Sequence, residues 1–194
     1  MPATQLRFKI ADESERASAL ELQRQLYEEE LGFAPDDASA PEGYYLVAVD
    51  EFGLVVGSAR FVGPEHRPFE IEEFVDLSDI FSPEKSIVLG GRLCVRPTHR
   101  KLSESIAILI GLLRLTDDIG SQRAWTDVLI YPRTALVDFY RGALFEEVGK
   151  TFVDPRFGLT MHLMRLDLAR LRRRLAASGP GLDSRAAATP RRSS

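Results

Sequence analysis

Residues 93–105, LCVRPTHRKLSES, run from an apolar strand through a single proline into a basic turn and then into an apolar helix. Leu93 and Val95 alternate as one face of a strand. Pro97 cannot donate a ladder hydrogen bond, so the strand is predicted to end there. The N-terminus of the following helix presents unpaired backbone N–H groups and a partial positive charge. The stretch therefore predicts a strand-turn-helix unit that can hold a phosphate.

The side chains of this turn are also suited to an anion. Arg100 and Lys101 place positive charge where the helix begins. Ser103 or Ser105 can either cap the helix or donate a hydrogen bond to a phosphate oxygen. Because serine caps and basic turns also occur where no ligand binds, the stretch by itself leaves a structural and a functional interpretation open.

Strands and helices alternate on both sides of the turn. Asp12 with Glu15 predicts a capping box, followed by an amphipathic helix that ends near Gly32. Two β-branched runs separated by Asp50–Gly53 predict a hairpin. The helix after Ser103 is apolar on nearly every side, which indicates burial against a sheet. The other strands are predicted at residues 6–10, 87–95, 125–132 and 158–168, and the other helices at 134–143 and 168–175.

This order of elements predicts an α/β or α+β layered domain over residues 1–168. Residues 64–86 show neither the helical nor the strand periodicity of apolar residues and are predicted as an irregular crossover. The acidic segment 33–41 is predicted as a mobile surface loop. Residues 170–194 hold seven Arg and one Asp. Residues 169–194 are therefore predicted as a basic C-terminal extension that is largely disordered.

Charge and composition exclude several classes of protein. The chain has 194 residues and a net charge of −4, but residues 1–169 carry a charge of −10, which argues against nucleic acid as a partner. The longest aliphatic run, residues 106–113, is too short to cross a bilayer, and the N-terminus lacks a signal-peptide core. Cys94 is the only cysteine, and no His or Cys pair has metal-ligand spacing. We expect a cytoplasmic protein without a metal, a disulfide or a transmembrane segment, and its oligomeric state stays open.

Two stretches together resemble the central motifs of the GNAT acyltransferase superfamily. The first family motif ends a strand with a Val-x-Pro-x-x-Arg pattern, which Val95, Pro97 and Arg100 match. The second has a Phe-Tyr pair before a Gly-Phe turn, and it resembles YPRTALVDFYRGALFEEVGKTF at residues 131–152, with Phe139 and Tyr140 as the pair. The resemblance implies a GNAT fold: a mixed, mostly antiparallel sheet flanked by helices, with splayed strands at the acyl-donor site.

The middle of the chain resembles one branch of that superfamily, the N-acyl amino acid synthases and acyl-homoserine lactone synthases. The segment GRLCV, residues 91–95, falls where those enzymes carry a Ser-Arg-aliphatic strand, and YPRTALVDFYR resembles their His-Pro-Arg segment. The resemblance covers roughly residues 5–167. It implies an acyl thioester co-substrate, either acyl-CoA or acyl carrier protein, and no permanently bound cofactor.

The resemblance also implies a role for particular residues at the donor site. The backbone of Leu93, Cys94 and Val95 is expected to hold pantetheine and polarise the thioester carbonyl, and Cys94 itself is expected to be a core residue rather than a nucleophile. The phosphate is expected at the turn and first helical residues: Arg100, Lys101, Leu102, Ser103, Glu104 and Ser105, with His99 nearby. The family usually has small residues, mainly Gly, where this chain has Ser103 and Ser105, which favours a carrier with a single phosphate.

Further roles concern proton transfer and the acceptor. Tyr140 is expected to protonate the departing thiolate, and Arg92 to bind a substrate carboxylate or pair with Glu72. The family's frequent strand Glu is replaced near Leu89 or Gly90. Glu72 is therefore the candidate general base, with Glu70 and Glu73 as alternatives.

We therefore predict an N-acyltransferase that moves an acyl group, expected to be fatty, from a thioester to an amine such as that of an amino acid. One alternative is an acetyl-CoA-dependent N-acetyltransferase of a small amine or peptide. The other is a non-catalytic GNAT-like module that binds an acyl ligand or a protein. The absence of the family's glycines and of its strand Glu favours this alternative. A basic cluster is a candidate docking patch for an acidic carrier protein: Arg96, Arg100, Lys101, Arg133 and Arg141.

Overall fold

The structure is a computed structural model that describes residues 5–32 and 43–177. The acidic loop predicted at 33–41 lies outside the described residues, and so do residues 178–194 of the predicted extension. In chain order the elements are β1 (Arg7–Ile10), α1 (Glu13–Leu31), β2 (Tyr44–Val49), β3 (Val55–Val62), β4 (Ile87–Val95), α2 (Leu102–Arg123), β5 (Asp127–Ile130), α3 (Val137–Gly142), β6 (Glu146–Asp154), β7 (Leu159–Asp167) and α4 (Leu168–Ala177).

The strands form one sheet in the order β1-β2-β3-β4-β5-β7-β6. Neighbouring strands are antiparallel, except that β4 and β5 are parallel. Helix α2 lies between β4 and β5 in the chain, as a parallel pair requires a crossover connection. The mixed, mostly antiparallel sheet with flanking helices confirms the predicted fold class.

The N-terminal elements follow the local signals of the sequence. Asp12 accepts a hydrogen bond from the Glu15 backbone N–H (3.0 Å), and the Glu15 carboxylate accepts one from the Asp12 N–H (3.1 Å), which completes the predicted capping box. Helix α1 ends before Gly32, which has a φ of 66°. The buried face of α1, including Leu22, packs on the sheet near Cys94.

Helix α2 is longer than predicted, because it continues past Leu115 to Arg123. Its buried stripe continues through Ile119, which keeps the polar C-terminal half attached to the core. The partly buried Asp117 carboxylate lies 2.7 Å from Nη2 of Arg172 in α4, which offsets the cost of placing that charge against the sheet.

Strand β6 was not predicted. It is an edge strand with a register shift between Glu147 and Thr151, and Gly149 within the shift has a φ of 76°. Most of its side chains are exposed or half-buried. An exposed edge strand carries little apolar alternation, which is the pattern that identifies a strand in a sequence.

The two faces of the sheet are covered differently. Helices α2, α3 and α4 cover one face, and Leu168 and Leu171 of α4 are buried there. The other face carries α1 and the crossover of residues 64–86, which contains two short 3-10 turns at Pro64–His66 and Glu70–Glu73 and is otherwise irregular, as predicted. Within the described residues no helix is both long and apolar enough to cross a membrane. The domain boundary at residue 168 stays a prediction.

Candidate active site

A large cavity lies where the sheet opens between β4 and β5. The two strands pair only from Ile87–Asp127 to Leu89–Leu129, although β4 continues to Val95. The splayed strands that the resemblance implied are therefore present. The cavity has a volume of about 770 Å³, and much of its wall is apolar, including Leu26, Phe61, Leu109, Leu113, Phe145 and Met161.

A β-bulge in β4 shapes this opening. Ala59 of β3 lies opposite two residues of β4, Arg92 and Leu93. Arg92 has a φ of 56°, a left-handed conformation that is uncommon outside Gly. A bulge bends its strand and leaves one residue out of the ladder. Since β5 pairs only with the first part of β4, Leu93, Cys94 and Val95 lie along the cavity. Their role in holding pantetheine stays a prediction.

The beginning of α2 lies beside the same opening. Lys101 is the N-cap residue and its side chain makes no capping hydrogen bond. Ser103 and Ser105 lie inside the first turn, so neither caps the helix. The first backbone N–H groups of a helix have no intrahelical acceptor. Arg100 Nε donates to the Val95 carbonyl oxygen (2.8 Å), which attaches the turn to the end of β4.

Two other residues predicted for the phosphate site, Lys101 and Leu102, are more exposed than Arg100. Lys101 is 77% exposed, and its Nζ lies 4.0 Å from Oε1 of Glu104 in the first turn of α2. Leu102 is 68% exposed although it lines the cavity. The His99 ring contacts the Thr98 hydroxyl (3.0 Å) and leaves the turn accessible.

Glu30 of α1 bridges two arginines beside the cavity. Its Oε1 lies 2.6 Å from Nη2 of Arg100, and its Oε2 lies 3.2 Å from Nη2 of Arg133. Arg100 follows β4 and Arg133 follows β5, so the carboxylate spans the gap between the separated strands. The three side chains all line the cavity. They are between 35% and 40% exposed, which makes these pairs weak and accessible to a competing anion.

Tyr140 lies in α3 on the cavity wall. Its ring packs edge-on against Phe139 and Phe145, with centroid separations of 5.2 and 5.6 Å, and it is 9% exposed. Burial, followed by the nearby Tyr27 and Cys94, raises the pKa of Tyr140 above its ordinary value. The phenol is therefore neutral at physiological pH and carries a proton that it can donate.

A cluster of charged residues surrounds Glu70 on the crossover side of the cavity. Oε1 of Glu70 accepts a hydrogen bond from the Tyr131 hydroxyl, and Oε2 lies 3.3 Å from Nη2 of Arg60. Burial by itself would raise the pKa of Glu70. The Tyr131 hydrogen bond and the charges of Arg60, Arg92 and Arg156 outweigh burial, so the pKa lies below its ordinary value. Glu70 is thus an ionised carboxylate within a largely cationic group.

Arg60 is an unusual member of this cluster. It lies in β3, where every residue is buried, and it is itself 3% exposed. Its Nη2 faces Glu70, whereas its Nη1 has no hydrogen-bond partner among the described residues. A buried guanidinium is costly unless it is paired. Glu70 is therefore expected to stabilise β3 locally by offsetting the charge of Arg60.

Arg156 is held from two sides. The fully buried Asp154 accepts from Nε (2.9 Å) and from Nη2 (2.6 Å) of Arg156. The guanidinium also lies over the rings of Phe157 and Phe74, at 5.3 and 5.7 Å from their centroids. Its Nη1 lies 3.9 Å from Oε2 of Glu70, which is longer than a hydrogen bond.

The structure does not bring Glu72 to the cavity. Its carboxylate forms a two-point pair with Arg67 (3.0 and 2.7 Å) and accepts from the Phe69 backbone N–H (2.8 Å), which closes the 3-10 turn. Glu70 and Glu73 line the cavity instead. Arg92 also lines the cavity, and its charge acts on Glu70. Of the two partners expected for Arg92, Glu72 pairs with Arg67 instead, and Arg92 acts electrostatically on Glu70. The other, a substrate carboxylate, stays a prediction.

Several site residues were not identified from the sequence. The sequence assigns no role to Tyr27, Tyr131 or Arg156. Arg60 carried a usable signal, because a charged residue in the apolar run VVGSARFV needs a partner. Tyr131 stands where the resembled His-Pro-Arg segment has its His, which is a usable signal. Arg156 is an ordinary surface type, and nothing local distinguishes it.

Comparison with known proteins agrees with this geometry. The family model of the N-acyl amino acid synthase FeeM matches residues 18–167. The structure of FeeM from uncultured soil microbes has a TM-score of 0.74 at 14% identity, over 91% of this chain and 98% of FeeM. The AHL synthase LasI has a TM-score of 0.63 at 14% identity, over 86% and 91%. YncA from Salmonella typhimurium, solved with acetyl-CoA, has a TM-score of 0.57 at 16% identity, over 84% and 94%. No curated protein sequence matches the chain.

The similar solved structures show a GNAT-type fold. The family model shows an N-acyltransferase, which confirms the predicted class of enzyme. Because the family model covers most of the chain, the particular family is also shown. The chain belongs to the FeeM family of N-acyl amino acid synthases.

Proposed function

We propose that the enzyme transfers a long acyl chain from a phosphopantetheine thioester to the amino group of an amino acid. The observation that carries this proposal is the apolar cavity of about 770 Å³ that begins at the split between β4 and β5 and extends to Leu113 and Phe145. Such a volume is typical of a site for a drug-sized ligand and exceeds what a two-carbon acetyl group needs.

The donor side of the cavity supports a thioester with a phosphate. The N-terminus of α2 and Arg100 suit the phosphate, and the pantetheine arm would extend along the unpaired edge of β4. Backbone N–H groups at the bulge would polarise the thioester carbonyl, as preorganised donors do for a developing oxyanion.

The chemistry requires one bond exchange. The acceptor's ammonium first gives one proton to solvent or a carboxylate, because only the free amine is a nucleophile. The amine nitrogen then attacks the carbonyl carbon, the C–N bond forms, and the C–S bond breaks. Tyr140 would donate its phenolic proton to the departing sulfur, and the second proton lost by the nitrogen would pass through solvent or a carboxylate back to the tyrosinate, which restores the neutral tyrosine. Of the candidate bases, Glu70 is supported best by position, because it is ionised and lines the cavity.

The carrier of the acyl group is either coenzyme A or acyl carrier protein. Three members of the predicted basic patch are already engaged: Arg100 and Arg133 with Glu30, and Arg141 with Asp138 and Glu147. The largely exposed Lys101 is the member that suits a docking role. The expected cytoplasmic location stays a prediction.

The proposed function is tested by incubating the purified enzyme with an amino acid mixture and one donor at a time: acetyl-CoA, a long-chain acyl-CoA, or a long-chain acyl carrier protein. Mass spectrometry of the products is the measurement. N-acyl amino acids formed only from long-chain donors are expected. Efficient acetyl transfer with no long-chain product would overturn the proposal in favour of an N-acetyltransferase.

The same assay separates the two carriers. If acyl carrier protein is the donor, Lys101→Glu should raise KM for the carrier protein several-fold more than KM for acyl-CoA, because docking charges act mainly on encounter. Equal effects on both donors would instead place Lys101 at the phosphate.

A further inference from the structure

We infer that Glu70 and Arg156 together bind the charged head group of the acceptor, with the ammonium on Glu70 and the α-carboxylate on Arg156. This inference rests on the proposed function and deepens it. It assigns acceptor specificity to two residues, and it makes a free carboxylate on the acceptor a requirement of the enzyme.

The first argument is the orientation of Arg156. A guanidinium is planar, and the buried Asp154 occupies the edge formed by Nε and Nη2. The remaining nitrogen, Nη1, therefore lies on the other side of the guanidinium, towards Glu70. It is 3.9 Å from Oε2 of Glu70, which is too far for a hydrogen bond with that carboxylate. Because Asp154 and the two phenyl rings fix the guanidinium in advance, little side-chain entropy remains to be lost when a ligand binds.

The second argument is the charge balance. Three arginines, Arg60, Arg92 and Arg156, act on the Glu70 carboxylate, and Asp154 pairs with Arg156. Glu73 also lines the cavity but is exposed, so positive charge is in excess around Glu70 itself, which favours a ligand that carries a negative charge. A buried nitrogen of Arg60 without a partner shows that the described side chains do not fully satisfy these cations.

The third argument is that a negative and a positive side chain lie next to each other at this site. A second carboxylate alone would be repelled by Glu70, which lies next to Arg156 Nη1. An amino acid avoids this repulsion, because its ammonium can lie on Glu70 while its carboxylate lies on Arg156. Glu70 is held ionised, as this role requires, by Tyr131 and the neighbouring arginines, which lower its pKa.

The test compares amino acids with their decarboxylated amines, using phenylalanine with phenethylamine and leucine with isoamylamine, at a saturating long-chain acyl donor. For the wild-type enzyme, kcat/KM should favour the amino acid of each pair by roughly 100-fold, since a site that binds a charged group rejects an analogue that lacks it. Arg156→Gln should remove most of this preference through KM for the amino acid, and leave the amine within about threefold.

Loss of Arg156 would leave the buried Asp154 unpaired, so the single variant is accompanied by the double variant Asp154→Asn with Arg156→Gln, which carries no buried charge at this pair. Arg165→Gln is the matched control, because Arg165 also faces a buried carboxylate, Asp127 (3.5 Å), but does not line the cavity. The control should keep the wild-type preference.

The outcomes are distinct. If the wild-type enzyme acylates both members of each pair equally, the inference is wrong and the proposed function stands. If the double variant loses amino acid and amine activity to the same extent, Arg156 is structural and the inference is also wrong. If no amine of either kind is acylated from any donor, the proposed function fails, and the inference fails with it.

Discussion

Glu30 and Arg100 form a 2.6 Å ion pair between Oε1 and Nη2 that joins the last turn of α1 to the turn before α2. Arg100 is also the residue that matches the phosphate-binding motif. With a donor phosphate bound at Arg100, as proposed, the Glu30 carboxylate would compete with that phosphate for the positive charge of the arginine.

We predict that Glu30→Gln strengthens the binding of phosphate-bearing donors. Removing a competitor from Arg100 and Arg133 should lower the Kd for coenzyme A by roughly two- to fivefold at low salt, as expected for a partly exposed ion pair. Isothermal titration calorimetry with coenzyme A would measure this change in Kd. Glu29→Gln, an exposed neighbour on the same helix, removes the same charge and serves as control. Weaker binding in Glu30→Gln alone would show that Glu30 positions Arg100 instead.

Tyr140→Phe is expected to lower kcat by roughly 100-fold, because it removes the proton donor to sulfur and keeps the ring. KM for the donor should change little, since the edge contacts with Phe139 and Phe145 remain. Steady-state kinetics with a long-chain acyl-CoA is the measurement. An equal loss when the thioester has a much better leaving thiol would contradict a role in leaving-group protonation.

Glu70→Gln and Glu72→Gln should differ sharply, although the residues are two positions apart. Glu70→Gln leaves the guanidinium of the buried Arg60 without its carboxylate, and we expect a loss of about 3 kcal/mol in the free energy of unfolding with nearly complete loss of activity. Glu72→Gln removes a partly exposed pair with Arg67 and should cost about 1 kcal/mol, with activity largely kept. Urea unfolding and kinetics on both variants would check this; inactivity confined to Glu72→Gln would restore it as the base.

Glu70 also predicts a pH dependence of stability. Its pKa in the folded state lies below the ordinary value of 4.5, so the folded state binds the proton more weakly than the unfolded state. The stabilisation is fully present above pH 4.5 and is lost as the pH falls through the folded pKa. Wild-type stability should therefore decline below about pH 4.5 more steeply than that of Glu70→Gln. Parallel curves for the two proteins would show that Glu70 is not the group responsible.

Gly90→Ala should shorten the acyl chains that the enzyme accepts. A Cβ at this position would lie 2.9 Å from Cε1 of Phe61 and 3.2 Å from Cγ2 of Ile130, both on the cavity wall. At Gly91 the nearest atom, the Tyr131 hydroxyl oxygen, would be 3.8 Å away, so Gly91→Ala should have a smaller effect. The measurement is kcat/KM across donors of increasing length. A uniform change at all lengths in Gly90→Ala would mean that the residue does not border the acyl path.

The parts of the fold that were predicted depend on short-range signals. The strand at 87–95 ends at Pro97 because proline lacks the donor, the capping box begins α1 because two side chains satisfy two backbone N–H groups, and the hairpin follows from apolar runs around Asp50–Gly53. Tyr140 was identified by its place in a resemblance; it lies on the cavity wall, and its role as the proton donor stays a prediction.

The choice among the crossover carboxylates could not be made from the sequence. Glu70 and Glu72 lie in the same 3-10 turn, in which successive residues point about 120° apart. Which of them faces the cavity is decided by how the turn docks on the sheet, and the buried Arg60 in β3 attracts Glu70.

The sequence by itself determined the class of fold, the strand-turn-helix unit of the donor site and the enzyme class, because each depends on neighbouring residues or on a linear motif. Only the tertiary structure decided the acceptor side. Arg60, Glu70, Tyr131 and Arg156 are spread over almost a hundred positions and meet through the packing of the crossover on β3, β5 and the β6–β7 turn. The bulge at Arg92 likewise depends on the register between β3 and β4, a pairing between distant segments that no local pattern encodes.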